Sequence, residues 1–357
     1  MPKDFTTSII IAIGMLLLNS CATVEVKEVS KQPTERSVKI ESVNVSSSCQ
    51  KAIARQTGRA GFALVIHSDS DILSTERVEF LDKLYRKIHG TPGILSVNGI
   101  ADEQVLSKTD LGVAVEPFVS DSHNDPNLRM IRYRKFAGLI DPVLLSADLG
   151  VTVLVVRLLP TSKKKARSDI RTQLHKLTQT APAGIKINLV EYPVAAAEAL
   201  TWHTEHALTG LKMLNRHLAG GGVLEVGVAC KPDDCLLTPL HLSSILRFEK
   251  IVKAMPRVKA TRSLATVLQH VNQAVSEVAQ LPATADQALQ LMAMLDLSSG
   301  IGLMVDKKNR RCIIMVYFET GNAAEYCALG KALKKATKDS SSESLRFFVR
   351  KPEHRGF

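Results

Sequence analysis

Three stretches carry side chains that could do chemistry. His203-Thr-Glu-His206 sets two imidazoles three positions apart with Glu205 between them. Helical zinc sites of the HExxH kind need a spacing of four, which turns both rings toward one ion. The segment therefore reads as a surface helix whose Trp202 packs on the body. His67-Ser-Asp-Ser-Asp71 is rich in oxygen but lacks the further carboxylates, the glycine and the closing Glu of a calcium loop. Its Asp and Ser side chains are expected to satisfy turn and helix-start amides instead. Cys230-Lys-Pro-Asp-Asp-Cys235 brackets a turn at a strand end, where an oxidising compartment permits a local disulfide. Cys312 either pairs with Cys327 or is a buried strand residue. Neither a nucleophile elbow, a phosphate loop, a nucleotide fingerprint nor a two-pair zinc spacing is present. The expectation is a non-enzymatic protein with no catalytic, cofactor-binding or metal site.

The elements around these residues repeat. FALVIHSDSDILSTERVEFLDKLYRKIHGTPGILSV, from Phe62, and VLEVGVACKPDDCLLTPLHLSSILRFEKIVKAMPRVKA, from Val223, share one order of strand, Asp-rich turn, capped helix, proline and short strand. Asp69 matches Asp233, Ser74 matches Thr238 and Pro92 matches Pro256, all 164 positions apart. Each copy then predicts an irregular, partly helical insertion, a strong strand (144–158 and 303–318), a helix and a closing strand (185–192 and 344–351). In the first helix Val78, Leu81, Leu84, Tyr85 and Ile88 share a face, with Ser74 or Thr75 as cap and Gly90 as stop. The fold class predicted is α+β: a tandem of two ferredoxin-like, split β-α-β lobes, 61–194 and 222–357. A connector helix within 195–221, stopped by Gly220-Gly-Gly222, joins them.

Composition bounds the rest. Hydrophobic residues make up 45% of the 357, enough for real cores, while an aromatic content of 4% argues against stacking on single-stranded nucleic acid. The net charge of +11 includes Lys163–Lys165 and Lys307–Arg311, read as solvated loops with some attraction to anionic head groups. Ile9–Leu18 is too short to span a bilayer but suits the core of a signal peptide over 1–20. Leu18-Asn-Ser-Cys21 is similar to the bacterial lipobox, which implies lipid attachment at Cys21, and Ala22 then implies the periplasmic face of the outer membrane. Residues 21–60 read as a flexible tether with a reach on the order of 35 Å.

The lobe pattern, through PGILSV (92–97), PRVKATRSL (256–264), VAVEPFV (113–119), LLSADLGVTVLVVRL (144–158) and LNRHLAGGGVLEVGV (214–228), resembles the periplasmic porter regions of resistance nodulation division exporters. The closest branch is that of lipid and sterol exporters related to the mycobacterial membrane protein large family. The resemblance implies two porter lobes without the twelve membrane helices, hence without a motor. A lipoprotein of this kind is expected to serve an inner-membrane exporter as an accessory, or to carry lipid or other hydrophobic cargo, with no nucleic acid partner. A structural envelope lipoprotein that binds only proteins is the alternative.

Overall fold

The computed structural model describes residues 61–350 except 102, 110–111, 119–124, 137, 160–163, 195–203, 232–233, 297–304 and 307–309. The leader, Cys21, the tether, Cys49, Trp202 and His203 lie outside the described residues.

The first half alternates apolar strands with amphipathic helices. β1 (Gly61–Ser68), β2 (Ile94–Asn98), β5 (Val151–Leu158) and β6 (Ile185–Tyr192) form an antiparallel sheet in the order β2-β5-β1-β6. Helices α1 (Thr75–His89) and α3 (Lys164–Thr178) cover one face. The second half builds another from β7 (Gly222–Cys230), β8 (Val258–Arg262), β9 (Arg311–Phe318) and β10 (Leu345–Val349), in the order β10-β7-β9-β8. Helices α5 (Pro239–Lys253) and α8 (Ala323–Ser340) lie on it. Numbered within its own half, each sheet runs 4-1-3-2. β1 is buried almost throughout, because helices cover one face and other elements the second.

The halves agree in detail. α1 and α5 each have 15 residues, and the starts of α1 and β2 precede those of α5 and β8 by the same 164 positions. Both short strands carry a register shift against their neighbour, between Ile94 and Ser96 and between Val258 and Ala260. Both are preceded by a left-handed residue, Gly93 (φ 89°) and Arg257 (φ 67°). A side chain there costs about 1–2 kcal/mol. Arg257 forms an ion pair with Glu325, which also completes the capping box of α8 with Asn322.

Local expectations divide. On α1, Val78, Leu81, Leu84 and Ile88 are buried as the periodicity requires, but Tyr85 is only partly so and Arg77 is buried. Ser74 occupies the N-cap without a side-chain cap bond, whereas Thr238 accepts from His241 N at 3.3 Å. Gly90 ends α1 in a right-handed conformation, as Ala254 ends α5, so glycine is not needed at that position. Asp71 Oδ1 accepts from Leu73 N (2.7 Å), the local turn expected of the Asp-rich stretch.

The insertions differ between halves. In the first, the chain forms a hairpin, β3 (Gln104–Thr109) with β4 (Gly112–Pro117), and then α2 (Pro126–Phe136); alternation of side chains had not marked this hairpin. In the second it forms α6 (Leu264–Ser276) and α7 (Ala285–Asp296). The strong strands start later than the apolar runs suggest. Leu145 and Val305 instead make single bridges to Thr152 and Cys312, turning the insertion back onto its own strand.

The connector helix is described as α4 (Glu205–His217), capped by Thr204, whose hydroxyl accepts from Ala207 N at 3.2 Å. Its stop lies at Leu218, before the glycines. Gly220 is left-handed (φ 103°), and a Cβ on Gly222 would overlap the Phe318 ring. The glycines thus admit the start of β7 against the end of β9 rather than breaking the helix.

Phe248, fully buried on α5, stacks on Phe347 of β10 at 4.6 Å. Phe248→Ala is expected to cost about 3–5 kcal/mol in urea denaturation, with an unchanged slope.

Candidate functional site

Side chains alternate across a strand, so each sheet has a helix-bearing face and an opposite one. In the second sheet Cys312, Val228 and Phe347 lie on the helix-bearing face. Tyr317, opposite Val223 and Ala260, faces the other way with Arg262. In the first sheet Asn188, Val190 and Tyr192 occupy the face away from α1 and α3. Gly210 of α4 packs on Asn188 and Val190 there, where an added Cβ would lie 3.1 Å from the Asn188 Cβ. These two faces converge on Asp141, at the end of the first insertion.

Asp141 Oδ2 accepts the Tyr317 hydroxyl at 3.0 Å and lies 3.4 Å from Arg262 Nη1, while Arg262 Nη2 donates to Leu139 O at 2.9 Å. One carboxylate from the first half therefore holds two side chains from the second. Burial opposes the charge of Arg262, but Asp141, Tyr317 and Glu103 outweigh it and raise its pKa. Burial first, and then Asp141, pushes the Tyr192 and Tyr317 phenols well above their ordinary value, so both stay neutral. The Tyr192 hydroxyl and Arg262 Nε are buried without a hydrogen-bond partner among the described residues.

Around this cluster the halves are sewn together. Val194 N donates to Gly221 O (2.8 Å), and the Thr320 hydroxyl donates to Val194 O (3.1 Å). Asn215 Oδ1 accepts from Gly221 N and Thr320 N, both at 3.0 Å, and its Nδ2 donates to Thr320 O at 2.9 Å. His217 Nδ1 lies 3.3 Å from Asp148, whose carboxyl is held below the ordinary range by Ser146, Gly150 N and His217. On the far side α6 packs against β3 and α2, and the His270 ring sits directly on Gly138. Arg129 fastens α2 to the start of α1 by donating to Leu73 O at 2.7 Å. Asp148, Asn215, His217, Gly221 and Arg262 fall within the stretches that carry the resemblance, but no sequence signal assigned any of these residues a site role.

The residues singled out in the sequence lie elsewhere. His206 is exposed and meets His175 of α3 edge-to-face at 6.2 Å. Among the described residues no cluster of three His, Cys, Asp or Glu could hold a metal ion. Cys230 and Cys235 are free thiols, so the bridge expected between them is not formed. Cys230 Sγ donates to Asp234 O (3.2 Å), and Cys235 Sγ accepts from Leu237 N (3.4 Å). Burial also pushes the Cys230 thiol up, which leaves little thiolate for exchange. Cys312 is free and buried, its thiol pushed up by burial, so it does not pair with Cys327; Cys327 is itself disulfide-bonded. Glu249, also buried, accepts from the hydroxyls of Ser263 and Thr266. Ser263 is wholly buried, bonds a carboxylate rather than an imidazole, and caps α6 by accepting from Thr266 N (3.1 Å). That arrangement suits a helix cap and not a nucleophile.

Asp141→Ala leaves the Arg262 guanidinium buried without its carboxylate and is expected to cost about 3 kcal/mol. The double variant Asp141→Leu with Arg262→Met should recover most of that in the same denaturation experiment. Burial, aided by Lys253, lowers the His270 pKa against the opposing pulls of Gln273 and Glu249. The unfolded chain then binds the proton more readily. Stability is therefore complete above about pH 6.5, the ordinary histidine value, and declines as the pH falls below it. His270→Gln should flatten this part of the stability–pH curve.

Compared with known proteins, the chain matches no family model, and no curated protein matches its sequence.

Proposed function

We propose that the chain is a tandem of two ferredoxin-like lobes of the porter type, held in the cell envelope by a lipid on Cys21 at the periplasmic face of the outer membrane. It acts there as a non-enzymatic accessory of a resistance nodulation division exporter that moves lipids or other hydrophobic compounds. The observation that carries this reading is the recurrence of the 4-1-3-2 sheet with the same bulge and the same left-handed turn in both halves. Among the described residues no helix is long and apolar enough to cross a membrane, so a role in export requires a partner that supplies the motor. The disulfide at Cys327 supports an oxidising compartment. The wholly buried Ser263, bonded to Glu249, serves as a helix cap and not as an exposed nucleophile.

Of the two accessory roles, docking is favoured over carriage. Between the sheets the junction around Asp141 is filled by Arg262, Tyr317 and Tyr192, whereas a lipid needs an open apolar cavity. The same observation gives weight to the second reading, an envelope scaffold that binds only proteins.

Crosslinking cells that express a C-terminally tagged full chain, followed by mass spectrometry of the recovered proteins and lipids, separates these readings. Co-recovery of an inner-membrane exporter is the expected result. Lipid without an exporter would make the chain a carrier, and other envelope proteins alone would make it a scaffold.

A further inference from the structure

The corresponding helices α1 and α5 of the two halves differ in charge. On α1 the exposed cations Lys83 and Arg86 are balanced by acids, Glu79 at 3.8 Å and Asp82 at 2.9 Å, and Glu76 lies 3.6 Å from the buried Arg77. The positions 164 later on α5 keep two of the cations, Arg247 for Lys83 and Lys250 for Arg86, and lose all three acids. Leu240, Ser243 and Leu246 stand where Glu76, Glu79 and Asp82 stand on α1. Leu240 is 72% exposed, and Ile251, in the place of Lys87, is 44% exposed.

Beside α5 lies α8, whose Lys331, Lys334, Lys335 and Lys338 follow the i, i+3, i+4, i+7 pattern of one helical face. All four are exposed, opposite the buried Tyr326, Leu329, Leu333 and Ala336. Among the described residues neither they nor Arg247 and Lys250 form an ion pair. The acids of the two helices are Glu249, buried; Glu325, paired with Arg257; and Asp339. With Lys253 the layer therefore presents seven exposed cations against one exposed acid without an ion pair, Asp339, together with two protruding aliphatic side chains and no aromatic ring.

We propose that this α5/α8 surface docks on an anionic phospholipid layer. The cations match the charge of the head groups, and Leu240 and Ile251 reach the apolar boundary beneath them. A nucleic acid would use the charges but leave the aliphatic pair without a role. The α1 and α3 layer of the first half also carries exposed cations, Lys165 and Lys176 among them, but among the described residues it exposes no large aliphatic side chain, so the combination of charge and apolar contact belongs to the α5/α8 layer. This inference stands independently of the exporter reading.

The test sediments the full chain with vesicles of phosphatidylcholine alone and of phosphatidylcholine mixed with phosphatidylglycerol. An N-terminal apolar segment acts on both alike, so the readout is the excess binding to anionic vesicles. That excess is expected, and it should fall steeply with added salt. Reversing Lys331, Lys334, Lys335 and Lys338 to Glu should lower it by about 600-fold or more, each lysine near the surface being worth about fivefold. Reversing Lys83, Lys87, Lys165 and Lys176 of the first half, the same change in net charge, should lower it far less. Leu240→Ser with Ile251→Ser should weaken binding at high salt, where the apolar contribution remains. No excess on anionic vesicles, or an equal fall in both charge-reversed variants, overturns the proposal. Matching thermal unfolding of the two variants establishes that both are folded.

Discussion

Asp141, partly exposed, receives the largely buried Arg262 and the fully buried Tyr317 from the other half of the molecule. Bringing a guanidinium into such a site costs several kcal/mol, which only a well-placed carboxylate and a further acceptor such as Leu139 O can return. The cluster therefore adds little net stability, and its effect is on geometry: one arrangement of the halves satisfies it. Arg262 arrives at Asp141 because β8 carries its bulge. Asp141 arrives because the first insertion turns back after α2 and closes on its own strand through Leu145.

Around that constraint a single framework is used twice for different ends. The strands, their order, the bulge and the left-handed turn recur, whereas the insertions and the outward helix faces diverge. The first half spends its insertion on a hairpin and a helix that grip α6. The second builds α6 and α7 and leaves its outer layer basic and partly aliphatic. α4 lies on the free face of the first sheet, and Asn215 at its end ties the glycine turn to Thr320. These bonds tie α4 to residues that flank β7 and β9 of the second sheet.

Apolar runs and their spacing were enough to place the α+β architecture, because burial of one helical stripe or one strand face follows from local period. The constant offset of 164 positions could be read directly, since helix caps and prolines occupy fixed places in a β-α-β unit. The hairpin of the first insertion was not legible: its strands are short and its signal weak beside the strong runs that flank them.

The junction could only be decided in three dimensions. Asp141, Arg262, Tyr317 and Tyr192 are ordinary residue types without characteristic spacing, and their importance comes from losing water together. His203, His206, Cys230 and Cys235 drew notice because their types are chemically rich. Yet His206 stays at the surface, and the two thiols are engaged by backbone atoms of their own loop. The sequence by itself determined which segments must be buried and that the plan occurs twice. Which faces meet, and which charges lack a partner, followed only from the tertiary structure, because both depend on neighbours distant in the chain.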